Sequence, residues 1–290
     1  MASLKEIRAR INSVASTEKI TSAMKMVSAA KLKKIEGTTT SFLPYRNKLS
    51  EALSNYLSSL EETITLPLAE QREVKRVAII AFASSNGLCG VYNSNVGKLL
   101  RTTYSEYADA LGADNVEVHL YGKKLIDYAT KNGIHALSVN PGLGEHFSFE
   151  LAIALSDQMM QQFLDRRIDR MVMIYNHFKN AGVQVMHCDT LLPLATDNLK
   201  SGEVFDYIVE PSREAFVNAL VPKVIHTQFY SVMLDALTAE HGARMTAMHV
   251  ASDNANELLQ DLQRDYNRAR QDVITRELID IVGGAEALNK

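Results

Sequence analysis

From Ser212 to Leu288 the chain carries helical spacing almost without interruption, and nothing else in the sequence limits the possible folds as strongly. Apolar or small residues recur at Ile225, Phe229, Val232, Ala236, Ala239 and Ala243, and again at Ala255, Leu259, Leu262, Tyr266, Ala269 and Val273. Steps of four and three alternate, which keeps one stripe along a helix and, when sustained, makes the seam of a coiled coil. Pro222 is the one proline inside the segment. It is expected to restart the helix after a short lead-in, because proline is tolerated at a first helical position. At 1.5 Å per residue the segment spans roughly 110 Å, against some 35 Å for a compact domain of about 120 residues. Isolated helices are marginal in water, so it must lean on another helix of this chain, on a partner protein, or on both.

A second helical stretch opens the chain. Leu4, Ile7, Ile11 and Val14 form one stripe, and Ile20, Met24 and Val27 resume it after a three-residue slip, a stammer that overwinds a coiled coil locally. Gly37 and Thr38 to Thr40 weaken the helix and Pro44 should kink it, while Tyr45, Leu49, Leu53, Tyr56 and Leu60 recover the period. Between these arms the pattern changes. Val74 to Ala83, Val116 to Tyr121, Ile134 to Val139, Met171 to Asn176 and Val183 to Leu191 read as strands. Asn93 to Leu111, Lys123 to Lys131 and Phe147 to Leu164 read as helices, and Ala195 to Gly202 as a polar connection.

The expected fold is therefore α/β: a central Rossmann-like domain with a mostly parallel sheet over 74–196, flanked by a long antiparallel coiled coil. Its helices are an N-terminal arm over 1–60, bent near 37–44, and a C-terminal arm over 212–288. If Leu60 lies opposite Ser212, Met24 falls near Met248 and the first arm is used up near residue 269. About 17 residues of the second are left over, an overhang of roughly 25 Å. An apolar, unpaired helix tip needs a socket.

Composition narrows the function. A net charge of −3 and pI near 6.3 argue against a dedicated nucleic-acid binder. The first 35 residues are the local exception, with eight basic residues (Lys5, Arg8, Arg10, Lys19, Lys25, Lys31, Lys33, Lys34) against Glu6 and Glu18. Aromatic side chains to stack bases are missing from that face, so an acidic protein surface is the expected contact. Two cysteines, Cys89 and Cys188, make no disulfide framework. No apolar run approaches the 18 or so residues that span a bilayer, and no apolar leader precedes the first helix, so membrane contact is expected only through a partner.

No site for bond chemistry emerges. The turn Ser84 to Gly90 joins a strand to a helix but lacks G-x-G-x-x-G, and Gly97, Lys98 is followed by Leu99, so there is no Walker A sequence. A tight turn with glycines at positive φ and a structural Cys89 is the plainer account. His187, Cys188 and Asp189 sit on a strand, where alternation points neighbours to opposite faces, and no zinc spacing exists elsewhere. Catalytic, cofactor and metal residues are all expected to be absent.

Four stretches carry a resemblance. Ile20 to Lys31 (ITSAMKMVSAAK) resembles the amino-terminal helix of the γ subunit of F-type ATP synthases, and Ile274 to Ala287 (ITRELIDIVGGAEA) resembles that family's carboxy-terminal signature. Glu240 to Met248 (EHGARMTAM) is similar to a further family segment, as is Gly87 to Gly90 after the first strand. The resemblance implies a non-catalytic rotor turning inside a ring of three α and three β subunits, with the α/β domain at the ε subunit and the c ring. Coupling proton flow to ATP synthesis or hydrolysis at β then follows from interface free energies that differ with shaft angle. It implies α and β contacts at Met24, Lys25, Arg244, Arg270, Gln271, Thr275 and Glu277, and a low-relief bearing tip at Gly283, Gly284 and Ala285. It also implies a peripheral place on the cytoplasmic face of a bacterial inner membrane. Ser85 and Asn86 depart from the acidic and basic residues common in the family, which puts the polar network of that turn in question. The chain lacks the insertion that resembles the chloroplast redox switch, so no thiol regulation is expected. The alternative is a nucleotide-binding α/β enzyme with a coiled-coil dimerisation arm.

Overall fold

The computed structural model describes residues 3–58, 66–140, 148–195, 210 and 212–288. It divides into two compact units, one made of Met1–Ser28 with Met245–Lys290 and the other of Ala29–Arg244. Helix α1 (Leu4–Ser58) and helix α5 (Arg213–Leu288) contribute to both. Leu60, Phe147 and residues 196–202 of the expected connection lie outside the described residues.

The first unit is a pair of antiparallel helix segments. Ser3 and Glu6 cap α1 reciprocally: the Glu6 amide donates to Ser3 Oγ (3.3 Å) and the Ser3 amide to Glu6 Oε2 (2.8 Å). The buried and half-buried stripe of α1 runs Leu4, Ile7, Ile11, Val14, Glu18, Thr21, Lys25, Ser28, in unbroken steps of three and four. On α5 it runs Met248, Ser252, Ala255, Leu259, Leu262, Tyr266, Ala269. The expected slip after Val14 does not occur, and Ile20 and Val27 lie 59% and 57% exposed. The seam is polar there. Lys25 Nζ meets His249 Nδ1 at 3.2 Å and Ser252 Oγ donates to Glu18 Oε1 at 3.5 Å. Long side chains lay their apolar stems along the seam and satisfy their ends across it, so apolar residues alone misplace the stripe. Val273, expected in the seam, is 39% exposed because α1 supplies no partner beyond Leu4.

The second unit is built on strand β1 (Val77–Phe82), all six residues buried, as a strand covered on both faces requires. With β2 (Val116–Tyr121), β3 (Ser138–Asn140), β4 (Arg170–Asn180) and β5 (Val183–Leu192) it forms a sheet of order β3-β2-β1-β4-β5. All neighbours are parallel except the β4–β5 hairpin. Helices α2 (Tyr92–Leu111) and α3 (Lys123–Lys131) cover one face over Val77, Ile79, Val118 and Ile174. On the other face Ala78, Ile80, Phe82 and Met173 pack with α4 (Phe149–Leu164) and with this unit's parts of α1 and α5. Phe42 stacks edge-on to Tyr230 and Tyr56 to Phe216, both at 4.9 Å, so fourteen residues forward on α1 are fourteen back on α5.

Element boundaries depart from expectation for local reasons. Residues 74–76 do not pair as strand, because the Lys75 and Arg76 amides donate to Asp169 Oδ2 (2.9 Å each) and Arg72 Nε to Oδ1 (2.7 Å). Burial works against the Asp169 carboxylate, yet those donors outweigh it and hold its pKa below the usual range. Ile134 to Leu137 are likewise not strand. Ile134 turns back to close α3, its amide donating to Ala129 O (3.0 Å) after Gly133 at φ 68°. Strand β4 runs to Asn180 because β5 returns beside it. Helix α4 starts at Phe149, capped by Ser148 Oγ accepting from the Leu151 amide (3.2 Å).

Pro222 does not restart a helix. α5 begins at Arg213, with Ser212 Oγ accepting from the Ala215 amide (3.1 Å), and passes Pro222 unbroken. An internal proline costs about 3 kcal/mol, whereas each fully buried large apolar side chain returns about 1.5–3 kcal/mol, and Val217, Leu220, Val221, Val224 and Ile225 surround it. α1 likewise continues as helix through Gly37 and Pro44.

Candidate functional site

The residues singled out in the sequence fall into three places. Arg270, Gln271, Thr275 and Glu277 lie on the last turns of α5, where every residue from Arg270 to Ala285 is exposed. Thr275 Oγ1 returns to Gln271 O at 2.9 Å, leaving the other three side chains to solvent. The phase of the helix changes here. Continuing the seam's alternating steps from Ala269 leads through Val273 to Arg276, Asp280 and Gly283, while Ile274, Leu278, Ile281, Val282 and Ala285 lie nearly half a turn away. This second apolar face, with Leu278 57% and Ile281 66% exposed, is no continuation of the pairing with α1. Gly283 and Gly284 meet nothing where a Cβ would stand, so no packing inside the chain calls for them.

Met24 and Lys25 lie on α1 in the same unit. Met24 is half-buried, Met248 buried, and Lys25 faces His249, the register expected from the arm lengths. Met26, beside them, is 64% exposed. Among the described residues none of the eight basic side chains of the first 35 residues pairs with a carboxylate, and all but Lys25 are exposed.

Arg244 is in the other unit and is buried. Its Nη1 donates to Glu240 Oε1 (2.7 Å), Nη2 to Asn86 O (3.3 Å) and Nε to Gly87 O (3.4 Å). Burial pushes the Glu240 carboxyl up in spite of Arg244 beside it. The turn after β1 does hold a polar network of its own, made from backbone carbonyls and the side chains of Ser84, Cys89 and Asn93. Ser84 Oγ bonds Asn86 O and Asn93, Asn93 Nδ2 reaches Cys89 Sγ (3.1 Å), and Leu88 and Gly90 stand at φ 61° and 59°. Cys89 is buried with Tyr92, Ala239 and Ala243.

This turn and β4 flank the point where the strand order reverses, the crevice in which open α/β sheets hold ligands. Here α5 fills it. Tyr92 OH donates to Ala236 O (2.8 Å), and Asp235 accepts the Phe178 amide on Oδ1 (2.8 Å) while Oδ2 meets His177 Nδ1 (2.5 Å). Burial pushes the Tyr92 phenol well up, so it stays a donor. The nucleotide-enzyme alternative thus has its expected site occupied by the chain itself. On β5, His187 and Asp189 share a face (3.6 Å) with Tyr175, whereas Cys188 points to Thr103. Among the described residues no three His, Cys, Asp or Glu side chains are grouped to hold a metal ion, and no helix is long and apolar enough to cross a membrane.

Residues 3–288 match the family pattern described as ATP synthase. A relative in Flavobacterium johnsoniae, named ATP synthase gamma chain, is 46% identical over 291 residues, covering 100% of both chains. The chain belongs to the ATP synthase gamma chain family. Its fold is similar to a chain of the Euglena gracilis mitochondrial ATP synthase (OSCP/F1/c-ring, rotational state 3), with TM-score 0.67 and 19% identity over 98% of this chain and 94% of that one. A chain of the Tetrahymena thermophila mitochondrial ATP synthase central stalk and c-ring matches at TM-score 0.58 and 25% identity, over 80% and 99%. Within the gamma-chain fold, Asp235 was not singled out from the sequence, and Glu240 and Gly242 entered only as members of the segment Glu240 to Met248. Asp235 was legible as the one charged residue in the run Phe229 to Ala239, a position that needs a partner.

Proposed function

We propose that the chain is the central-stalk rotor subunit of a proton-translocating ATP synthase, and that it performs no bond chemistry itself. The observation that carries this reading is the end of α5, exposed from Arg270 to Ala285 with an apolar face that its own partner helix does not cover. A ring of α and β subunits supplies the socket. Met24 and Lys25 meet an acidic β surface, and Arg270, Gln271, Thr275 and Glu277 hydrogen-bond to α and β. Gly283, Gly284 and Ala285 turn within an apolar sleeve, where small residues leave clearance. Helix propensity favours alanine over glycine by about 1 kcal/mol, so two packing-free glycines point to a requirement outside the chain. Arg244 acts from inside, by holding α5 to the turn that presents Leu88 and Val91 to the surface.

The α/β unit sits at ε and the c ring, and the assembly is peripheral on the cytoplasmic face of a bacterial membrane. Three chemically alike β subunits meet different sides of one asymmetric shaft, so turning it changes which nucleotide site is tight, and nucleotide exchange biases its angle in return. Gentle isolation from native membranes, with companions identified by mass and ATP hydrolysis assayed, tests this. Co-isolation with α, β and ε and hydrolysis only in the complex is expected. Hydrolysis by the solitary chain contradicts it.

A further inference from the structure

Within the α/β unit α5 is buried on nearly every side from Val224 to Ala243. Apolar packing of this kind holds a helix in place, but its driving force is non-directional and singles out no one residue pair. Two contacts to β4 are directional. The single carboxylate of Asp235 grips successive residues, accepting the backbone amide of Phe178 at 2.8 Å and meeting the His177 ring at 2.5 Å. Two turns on, the Phe178 ring sits in the notch left by Gly242: a Cβ there would stand 2.7 Å from Phe178 Cε2, closer than real contacts allow. One strand segment thus engages α5 by a bidentate charged acceptor on one turn and a steric key on another. Charge-assisted bonds are roughly twice as strong as neutral ones and fix geometry as well as energy.

We propose that Asp235 and Gly242 on α5, with His177 and Phe178 on β4, form the keyed joint that carries torque between the shaft and the sheet. These are positioning residues: none touches nucleotide or the α and β subunits in the reading above. The inference rests on that rotor reading. A helix turned by its far end delivers work to the sheet only through contacts that fail in shear last, and this joint supplies them.

The test uses the whole complex in sealed membrane vesicles, comparing ATP hydrolysis after the proton gradient is collapsed with protons pumped per ATP against a gradient. Asp235→Leu and Gly242→Ala should leave uncoupled hydrolysis near the unaltered rate and lose severalfold in protons moved per ATP. Adding Phe178→Leu to Gly242→Ala, which clears room for the methyl group, should restore pumping. Unaltered pumping per ATP in both variants overturns the joint. So does loss of assembly in both variants without rescue by Phe178→Leu, since the contacts would then serve folding alone. Absence of pumping by the unaltered complex would instead sink the rotor reading.

Discussion

Arg244 and Glu240, one turn apart on α5, meet at 2.7 Å with both side chains more than nine-tenths buried. Removing one partner of such a pair leaves a buried charge and costs about 3–5 kcal/mol. Arg244→Ala should therefore destabilise the chain by about that amount near neutral pH. Burial already pushes Glu240 up, so in this variant the cost should shrink as pH falls towards the ordinary glutamate value of 4.5 and the carboxyl takes a proton. Urea denaturation of both proteins across pH checks both statements.

His241 gives a second pH dependence, opposite in sign although burial disfavours the charged form in both. Burial, then the charges of Arg244 and Lys31, lower its pKa from 6.5 to about 4. Unfolded chains bind this proton first, so the folded state should lose stability as pH falls from about 6.5 to 4. His241→Gln should flatten the pH dependence of the denaturation midpoint in that window and leave the slope unchanged above it.

Two glycines should respond oppositely to alanine. Gly122 stands at φ 104° and a Cβ there would meet Ala83 O at 2.1 Å, so Gly122→Ala should be among the most damaging single substitutions in the sheet. Gly37 lies inside α1 with nothing within 4 Å, so Gly37→Ala should stabilise by up to about 1 kcal/mol. Thermal melting of the two variants distinguishes them directly.

The apolar face at the end of α5 should matter to partners and not to the chain. Ile274→Ser and Leu278→Ser remove no internal packing, so each should stay within about 0.5 kcal/mol of the unaltered stability. Assembly with α and β should weaken in both. Unchanged association would argue that this face is not seated in the ring.

How far the sequence could be read depended on what its residues face. β2 and α3 were legible to the residue because alternating and helical patterns ended at clear turn residues. The register of the arms was legible from length alone, and Lys25 opposite His249 agrees with it. The seam was misread after Val14 because Glu18, Thr21, Lys25 and Ser28 fill it while Ile20 and Val27 face outward, and no apolar periodicity reports that. Pro222 misled because local propensity cannot weigh the tertiary burial around it. Of the candidate site, the exposed end of α5 followed from counting residues. The joint at Asp235 and Gly242 did not, since a carboxylate accepting an amide from another element and a notch for Phe178 exist only once β4 and α5 meet.

The most direct test is to watch the chain turn. With the complex fixed through its β subunits, a gold rod is attached to an exposed cysteine on α2, as in Asp109→Cys with Cys188→Ser, and ATP is added. The rotor account predicts stepwise rotation of the rod in one direction, stopping when ATP is withdrawn. A rod that stays still while the fixed complexes hydrolyse ATP at the rate of complexes in solution would contradict it.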